Sequence, residues 1–532
     1  MVLLSIKKGA YQLNITKMNV AYLLINTASN NPDKIAIISE KKRISYETFN
    51  QRVNHLAHAM RRYGCNKGDR VALMFFNTYQ FPEIYFATIK LGAILTPVNF
   101  RFVGEEIEYI VNNSESSFFF FAKEFQETIT RIYKRLHTVK NFVGVNMGKE
   151  DFAHDYESFL SLGESYEPEV DIGENDPCQI MYTSGTTGKP KGAVITHGNI
   201  FWNLINTILA RDHSPGEVSL IIGPLYHTAA LNNHFTVQVA LGGTSIMVKK
   251  FEPEIVLRHI EKEKANIISG SPAMFNLLLQ YLKLDQFDTQ SITKCTAGSA
   301  ILPREIKEQL LKVFPDSNGV YDLYGCTEAS PTITILKGKD SFRKHGSVGT
   351  PVPFLQARVV NEEGMPLPPN QVGELVCRGP NVMQSYYKNT EATKEAIKDE
   401  WLYTGDLATV DEDGYFYIID RKKDMIVSGG ENIYPREIEE VLLRHPAIVD
   451  IAVVGIPDQT WGETVKAFVV TKEGKTVTEK EVIDFCKKHL ASYKKPKQVA
   501  FISAIPRNPS GKALKRILKS GSEKDIRRSK LE

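Results

Sequence analysis

The sequence contains little that would indicate a disulfide framework, a zinc site or a membrane span. Its 532 residues include six cysteines, and no two of them form a CxxC pair. Cysteines scattered in this way argue against both kinds of site and are typical of a reducing compartment. Nor does any apolar run reach the roughly 18 residues that a transmembrane helix requires. The apolar stretch before Lys7 is too short for the core of a signal peptide, so we expect a cytoplasmic location.

An excess of charge is also absent. The 65 lysines and arginines nearly balance the 62 aspartates and glutamates, which leaves a net charge of +3. So small an excess does not indicate nucleic-acid binding. Hydrophobic residues make up 42% and charged residues 24% of the chain, values that are typical of a globular protein. A chain of this length is too long for a single hydrophobic core, so we expect several subdomains.

What the sequence does contain is a regular alternation of strands and helices. Residues 34–335 alternate short apolar runs with amphipathic stretches. The runs DRVALMFF (69–76) and SSFFFFA (116–122) indicate buried strands, and QFPEIYFATIKLG (80–92) indicates a helix that ends at Gly92. This rhythm predicts an α/β fold, with parallel sheets covered by helices.

The strand–helix alternation gives way to a different pattern after about residue 345. Between residues 345 and 420, short strands separated by turn signals predict a β-rich subdomain. A helix that begins at Pro435, with further strands and one more helix after it, predicts a small α+β domain. We therefore expect a large N-terminal domain over 1–420 and a separate small domain over 425–532.

The stretch YTSGTTGKPKG (182–192) has the composition of a phosphate-binding loop. Glycines let backbone N–H groups approach an anion, hydroxyls donate further hydrogen bonds and lysines balance the charge. The spacing differs from that of a Walker A loop, because Pro190 follows Lys189 where that motif has a serine or threonine. The candidate phosphate-binding residues are Thr183, Ser184, Gly185, Thr186, Thr187, Gly188, Lys189 and Lys191.

This loop resembles the signature of the adenylate-forming superfamily, which comprises acyl-CoA synthetases, luciferases and the adenylation domains of peptide synthetases. Other segments similar to the motifs of that family follow in order, so that the resemblance covers roughly residues 30–515. They are LYHTAAL (225–231), AGSAIL (297–302), YGCTE (324–328), YTGD (403–406), DRKKDMI (420–426) and NPSGKALKR (508–516). The chain is most similar to a bacterial-type fatty acyl-CoA synthetase.

The resemblance implies a site for the adenine of ATP. Tyr324 would stack on the base, as a flat aromatic ring can, and Asp322 would also contact the nucleotide. Gly298, Ser299 and Ala300 would form the opposite wall, where small residues let the backbone approach closely. Without the resemblance, this second segment would be interpreted as a plain turn between a strand and a helix.

The resemblance also implies contacts to the sugar, the phosphates and a metal ion. Asp406 would accept hydrogen bonds from the ribose hydroxyls, and Arg421 would add a ribose or phosphate contact. Thr327 would bind a phosphate or the acyl carbonyl, and Glu328 would hold Mg²⁺, which prefers few carboxylates together with phosphate oxygens. Outside this family, a Thr-Glu pair would be interpreted as a helix cap.

The remaining motifs imply a reaction in two steps. Lys512 would bind the α-phosphate and the carboxylate while an acyl-adenylate and pyrophosphate form. The resemblance also implies a hinge at 421–424 and a mobile C-terminal domain, which would then rotate about Lys423. CoA would enter a tunnel lined by Gly430 and gated by His227. The implied cofactors are ATP, Mg²⁺ and CoA.

By the same resemblance, LYHTAAL (225–231) is the acyl-side motif, whose residues would contact the acid. It has no acidic residue that could hold an amino group, and Thr228, Ala229 and Ala230 are small. Both features favour a medium- or long-chain fatty acid. An aryl acid of the cinnamate or 4-coumarate type is the alternative among enzymes, and an inactive nucleotide-binding protein is the alternative from a different class. We expect a monomer or homodimer whose basic tail is either solvated or in peripheral contact with a membrane.

Overall fold

The structure of the protein, a computed structural model, describes residues 18–148, 151–183, 189–298, 300–429, 431–507 and 513–520. Contacts within the chain divide it into two compact units. The first unit consists of Met1–Ile268, Cys326–Thr332 and Pro380–Thr393. The second unit consists of Ser269–Gly325, Ile333–Gly379 and Lys394–Glu532.

The described residues form α-helices throughout the chain. These helices are α1 (Ala21–Asn30), α2 (Tyr46–Arg62), α3 (Gln80–Lys90), α4 (Gly104–Asn113), α5 (Gln126–Ile132), α6 (Tyr156–Leu160), α7 (His197–Ala210), α8 (Thr236–Leu241), α9 (Pro253–Glu263), α10 (Pro272–Leu279), α11 (Arg304–Val313), α12 (Thr390–Ala396), α13 (Pro435–Leu442), α14 (Glu479–His489) and α15 (Lys515–Ser520). A π-helix at Ala229–Phe235 leads directly into α8.

The strands fall into an earlier and a later set. The earlier set is β1 (Ile35–Ser39), β2 (Lys42–Ser45), β3 (Arg70–Met74), β4 (Ile94–Pro97), β5 (Ser116–Phe121), β6 (Asn141–Gly144), β7 (His154–Asp155), β8 (Pro177–Thr183), β9 (Lys191–Thr196), β10 (Val218–Ile221), β11 (Thr244–Met247) and β12 (Ile267–Gly270). The later set is β13 (Lys294–Gly298), β14 (Val320–Gly325), β15 (Thr332–Leu336), β16 (Thr350–Pro351), β17 (Gln356–Val360), β18 (Gly373–Arg378), β19 (Ser385–Tyr386), β20 (Ile397–Lys398), β21 (Trp401–Val410), β22 (Phe416–Arg421), β23 (Ile426–Ser428), β24 (Glu431–Ile433), β25 (Ile448–Asp458), β26 (Gly462–Thr471) and β27 (Gln498–Phe501).

An eight-stranded sheet in the first unit carries the candidate phosphate loop. Its strand order is β19-β9-β8-β4-β3-β5-β6-β7. The sequence predicts parallel strands, and from β8 to β7 the pairing is indeed parallel. Strand β9 differs, because it runs antiparallel to both β8 and β19. The phosphate loop therefore connects the two strands of an antiparallel hairpin rather than two parallel elements.

The hydrophobic runs of the first unit form the elements that the sequence predicts. The run of phenylalanines at 118–121 lies in β5 and is buried, as expected for aromatic side chains in a central strand. The predicted helix at 80–92 is α3, which ends just before Gly92, and Gly92 adopts a positive φ of 65°. A second group of strands in this unit pairs in the order β2-β1-β11-β10, with β10 also pairing to the start of β12.

Helix α3 is enclosed on all sides, since every one of its residues is buried. Its two charged side chains are accordingly paired within the unit, as buried charges must be. The Arg52 Nε lies 2.6 Å from Glu83 Oε1, and the Lys90 Nζ lies 2.5 Å from Glu167 Oε2. Burial lowers the pKa of Lys90 to about 8. These pairs connect α3 to α2 and to the segment that follows α6.

The second unit contains antiparallel sheets where the sequence predicts a β-rich region. Strands β17, β18, β21 and β20 pair side by side, and β22 pairs with the other part of β21. Strands β13 and β14 are parallel, and β15 pairs with β16 in the antiparallel sense. Residues of β14 and of β21–β22 belong to the predicted nucleotide motifs.

The last hundred or so residues form the predicted mixture of helices and strands. Strands β25 and β26 form a long hairpin, and β23 and β27 both pair with β26 along the edge opposite β25, β27 in the parallel sense. Helices α13 and α14 cover this sheet and share an apolar core with it, including Ile438, Leu442 and Val482. The predicted boundaries at 420 and 425 remain a prediction. Among the residues that the structure describes, no helix is both long enough and apolar enough to cross a membrane.

Candidate active site

The hairpin of β8 and β9 presents the phosphate loop. Thr183 and Lys191 are register partners at its mouth, and the Thr183 hydroxyl lies 3.5 Å from the Lys191 carbonyl oxygen. The intervening loop residues predicted to bind phosphate, 184–188, lie outside the described residues. The structure therefore gives the positions of the residues at the two ends of the loop, and the phosphate contacts of residues 184–188 remain predictions from the sequence.

Tyrosine hydrogen bonds hold the hairpin on both sides of the phosphate loop. The Tyr182 hydroxyl donates to Asn113 Oδ1 at 2.6 Å, and the Tyr109 hydroxyl donates to the Pro190 carbonyl at 3.1 Å. The Lys189 ammonium lies 5.4 Å from the centre of the Tyr109 ring, within the range of a cation–π contact. Because Tyr109 and Asn113 both belong to α4, one helix contacts the end of β8 at Tyr182 and the residue just before β9.

The predicted metal carboxylate lies in a short turn of the first unit. Residues Thr327–Ala329 form a single 3₁₀ turn, in which the Ser330 amide donates to the Thr327 carbonyl at 3.1 Å. The Glu328 Oε1 accepts a hydrogen bond from the Tyr386 hydroxyl at 2.6 Å, and the Glu328 carbonyl accepts one from the Met383 amide at 2.7 Å. One segment, which contains Met383 and Tyr386, therefore holds both the side chain and the backbone of Glu328.

Tyr386 joins two motifs that the sequence treats separately. Besides its bond to Glu328, its ring centre lies 5.4 Å from the Lys191 ammonium. Burial, and the nearby charge of Glu328, raise the pKa of Tyr386 well above its usual range, so its hydroxyl stays protonated and donates. Nothing in the sequence SYYKN distinguishes Tyr386 from Tyr387, which is why sequence reasoning misses it.

The residues at this turn fit a magnesium ion held jointly with phosphate. Among the residues that the structure describes, no three His, Cys, Asp or Glu side chains are grouped so that they could hold a metal by themselves. Mg²⁺ typically takes one or two carboxylates and completes its coordination with water and substrate phosphates. A single hard oxygen ligand such as Glu328, oriented by a neighbouring hydroxyl, suits that mode of binding.

The acyl-side motif forms a turn followed by the π-helix. The His227 ring packs against the Tyr226 ring at a centroid distance of 4.4 Å, and the His227 amide donates to the Pro224 carbonyl at 3.0 Å. Of the small residues after it, Thr228 and Ala230 are buried and Ala229 is partly exposed. π-Helical turns are rare and are frequent at functional sites.

The polar side chains of the π-helix are engaged in a buried amide network. Asn232 and Gln179 exchange hydrogen bonds at 3.0 and 3.2 Å, which connects the π-helix to β8. The Asn233 Nδ2 donates to Thr332 Oγ1 at 2.9 Å, and Asn233 Oδ1 accepts from Asn203 at 2.8 Å. Buried amides that are satisfied in this way fix the relative position of the elements that carry them.

The predicted ribose and adenine residues meet in the second unit. The Tyr324 hydroxyl donates to Asp406 Oδ2 at 2.7 Å, and the Arg421 Nε lies 3.7 Å from Asp406 Oδ1. Asp406 and Arg421 are also register partners in β21 and β22. Three residues from three separate motifs are thus brought together around one carboxylate.

Asp322 has a partner that the sequence does not indicate. It is buried and forms an ion pair with Lys307 of α11, and burial raises its pKa. Gly298, on the neighbouring strand β13, is the register partner of Leu323. Within the described part of the chain, a Cβ atom at Gly298 would come within 4 Å of the Leu323 carbonyl oxygen alone, at 3.9 Å. Ala300 is exposed, and Ser299 lies outside the described residues.

Of the residues predicted for the hinge and the C-terminal domain, one lies in a short turn and two lie outside the described residues. Lys423 lies in the 3₁₀ turn Lys422–Asp424, which connects β22 to the strand β23. Its pKa lies below the usual range because its ammonium is partly buried and because Arg421 adds a positive charge nearby. Gly430 and Lys512 lie outside the described residues, so their roles remain predictions from the sequence.

Comparison with protein families gives two matches that together span most of the chain. Residues 24–387 match the model of the AMP-binding enzymes, and residues 437–512 match that of the AMP-binding enzyme C-terminal domain. The α/β fold thus consists of a large N-terminal domain with mixed sheets and a smaller C-terminal domain.

Curated relatives match over nearly their whole length. A feruloyl-CoA synthase of Amycolatopsis sp is 36% identical over 493 residues, which cover 92% of this chain and 96% of the relative. A long-chain-fatty-acid–CoA ligase of Bacillus subtilis is 35% identical, over 96% of this chain and 95% of the relative. Among solved structures, ATP-bound MatB from Rhodopseudomonas palustris has a TM-score of 0.86 at 29% identity, over 95% of this chain and 99% of that chain.

Proposed function

Since the chain belongs to the family of AMP-binding enzymes, we propose that it joins a medium- or long-chain fatty acid to coenzyme A. The chain is an acid–thiol ligase, an AMP-forming acyl-CoA synthetase. Its substrates are ATP, a carboxylic acid and CoA, and it uses Mg²⁺. The identity of the acid is the part of this function that we propose.

The observation that supports a fatty acid is the internal engagement of the polar side chains at 232–234, in the π-helix Ala229–Phe235. Asn232 is paired with Gln179, Asn233 with Asn203, and His234 Nδ1 lies 3.2 Å from Arg211. These groups are therefore occupied by the protein itself rather than directed at a polar substituent of the acid. An apolar chain needs no such partner, and each buried CH₂ contributes about 0.8 kcal/mol.

An aryl acid is the second candidate. The feruloyl-CoA synthase is as similar to this chain as the fatty acid ligase is, with 36% against 35% identity. The small residues Thr228 and Ala229 would also admit a flat ring. Fatty and aryl acids share an apolar body with one carboxylate, so the same reaction serves both.

In the first step that we propose, a carboxylate oxygen of the acid attacks the α-phosphorus of ATP. The bond from that phosphorus to the bridging oxygen breaks, and pyrophosphate leaves. The approach of one anion to another requires charge neutralisation and in-line placement. Thr183, Lys189 and Lys191 would hold the leaving phosphates, and Lys512 would hold the α-phosphate. Mg²⁺ held by Glu328 would neutralise phosphate charge.

In the second step, the thiol of CoA attacks the acyl carbon and AMP leaves. We expect the C-terminal domain to turn about Lys423 between the two steps, which withdraws Lys512 and admits the thiol. A free thiol has a pKa of about 8.5, so a small fraction of the CoA thiol is already ionised at neutral pH. We therefore assign no protein side chain as a dedicated base.

A panel of acids tests the substrate. AMP release that depends on CoA would be measured with saturated acids from acetate to palmitate and with cinnamate, 4-coumarate and ferulate. The proposal predicts that kcat/KM rises with chain length up to at least roughly eight carbons, because each methylene adds apolar contact. A higher kcat/KM for any of the aryl acids than for every fatty acid would replace the proposed substrate with the second candidate.

A further inference from the structure

One segment of the first unit touches both the phosphate hairpin and the turn that carries Glu328. We call residues 380–387 the strap. At its end, strand β19 pairs with β9 so that Tyr386 lies opposite Ala193, and the Tyr387 amide donates to the Gly192 carbonyl at 2.7 Å. The strap thereby extends the hairpin that presents the phosphate loop.

The beginning of the strap is fixed by two buried or half-buried asparagines. The Asn199 Nδ2 donates to the carbonyls of Pro380 and Val382, both at 2.8 Å. Asn381 is fully buried, and its Nδ2 donates to the Ala329 carbonyl at 2.7 Å. Since Ala329 follows Glu328, the strap is tied to the backbone of the same turn whose carboxylate it contacts.

Tyr386 is the residue of the strap that reaches the charged groups. Its hydroxyl donates to Glu328 Oε1 at 2.6 Å, and its ring lies beneath the Lys191 ammonium. A donor fixed to one carboxylate oxygen restricts the rotation of the whole carboxylate. The second oxygen of Glu328 is thereby given a defined direction, as ligands of a metal commonly receive from their neighbours.

We propose that Tyr386 is a positioning residue, which orients the Glu328 carboxylate for the magnesium ion that accompanies ATP. The inference rests on the proposed role of Glu328 and adds a residue that the sequence motifs do not contain. Tyr386 itself does not touch the nucleotide in this account; it acts through Glu328. Its effect should therefore be specific to the complex of ATP with Mg²⁺.

The neighbouring Tyr387 offers a matched control. Its hydroxyl lies 3.3 Å from Glu115 Oε2, a carboxylate that also pairs with Lys388. Tyr387 is thus the same residue type, in the same strap and half-buried, but it is hydrogen-bonded to a different carboxylate. Tyr387→Phe removes one hydroxyl from the strap without removing the bond to Glu328.

The test compares the binding of ATP with and without the metal. Isothermal titration calorimetry would measure the dissociation constant of ATP in excess MgCl₂ and in EDTA. For Tyr386→Phe we expect the constant in MgCl₂ to rise about tenfold, the lower end of what the loss of such a supporting contact costs. The constant in EDTA should change by less than about twofold, because the ring that underlies Lys191 is retained. Tyr387→Phe should match the wild type in both conditions.

If Tyr386→Phe weakens ATP binding equally in MgCl₂ and in EDTA, the role of Tyr386 is only structural. If it weakens ATP binding in neither condition, Tyr386 does not position Glu328. Either result overturns the inference. Glu328→Gln separates this failure from a failure of the proposed site. If Glu328→Gln selectively weakens binding in MgCl₂ and Tyr386→Phe does not, only the inference about Tyr386 is wrong. If neither variant does so, the assignment of the metal to Glu328 is wrong as well.

Discussion

Replacing Lys512 with alanine is expected to reduce adenylation by about a thousandfold while leaving the thioester step largely intact. The expectation rests on the motif NPSGKALKR, in which Lys512 would contact the α-phosphate during the attack of the carboxylate. The proposed turn about Lys423 withdraws Lys512 before the second step, so the cation acts at the α-phosphate in the first step only. A cation placed at that point stabilises one transition state and not the other.

The two steps can be measured separately. Exchange of labelled pyrophosphate into ATP, in the presence of the acid, reports the first step, and single-turnover formation of acyl-CoA from preformed acyl-adenylate reports the second. Lys515→Ala is the control, because Lys515 lies three positions away and pairs with Glu439 at 2.9 Å. Normal exchange in the Lys512 variant would contradict its assignment.

Replacing Asp406 with alanine is expected to raise the KM for ATP by about a hundredfold. Two hydrogen bonds from ribose hydroxyls to a carboxylate contribute about 1.5–3 kcal/mol each, so even part of that sum gives an effect of this size. The substitution also removes the acceptor that Tyr324 uses and the partner of Arg421. Since the ribose takes no part in bond making, kcat should fall much less than kcat/KM.

Steady-state kinetics with ATP as the varied substrate measure this effect. Asp413→Ala is a matched control: Asp413 lies in the turn that joins the same two strands and pairs with Lys344 at 2.6 Å. The control should retain the KM of the wild type. An unchanged KM for ATP in the Asp406 variant, with a melting temperature like that of the wild type, would remove Asp406 from the nucleotide site.

The regular elements follow from local patterns in the sequence. The run of phenylalanines in β5 and the helix α3 before Gly92 are predicted correctly, because burial and backbone preference act on neighbouring residues. The antiparallel direction of β9 is not predicted. Strand β9 is joined to β8 only by the residues between Thr183 and Lys191, and so short a connection brings the second strand back antiparallel. The composition of that connection indicates a phosphate loop rather than a hairpin turn.

The residues of the candidate site also fall into those that the sequence predicts and those that it does not. Motif residues such as Asp406 and Tyr324 are predicted from the resemblance of their motifs to those of the family, and the structure places the two side chains in contact. Tyr386 and Asn232 are not found, since tyrosines and asparagines are common and their value here comes from partners far away in the sequence. Lys307, which pairs with Asp322, has the appearance of an ordinary helix surface residue until the fold buries it.

The central claim is that the acid is activated through an oxygen bridge to the α-phosphorus. The most direct test uses the preferred acid labelled with ¹⁸O in both carboxylate oxygens, followed by mass spectrometry of the products of complete turnover with ATP and CoA. One labelled oxygen should appear in each AMP and none in pyrophosphate, because the attacking oxygen stays on phosphorus when the thiol displaces AMP. Unlabelled AMP, or label in a released phosphate alongside ADP, would contradict the claim.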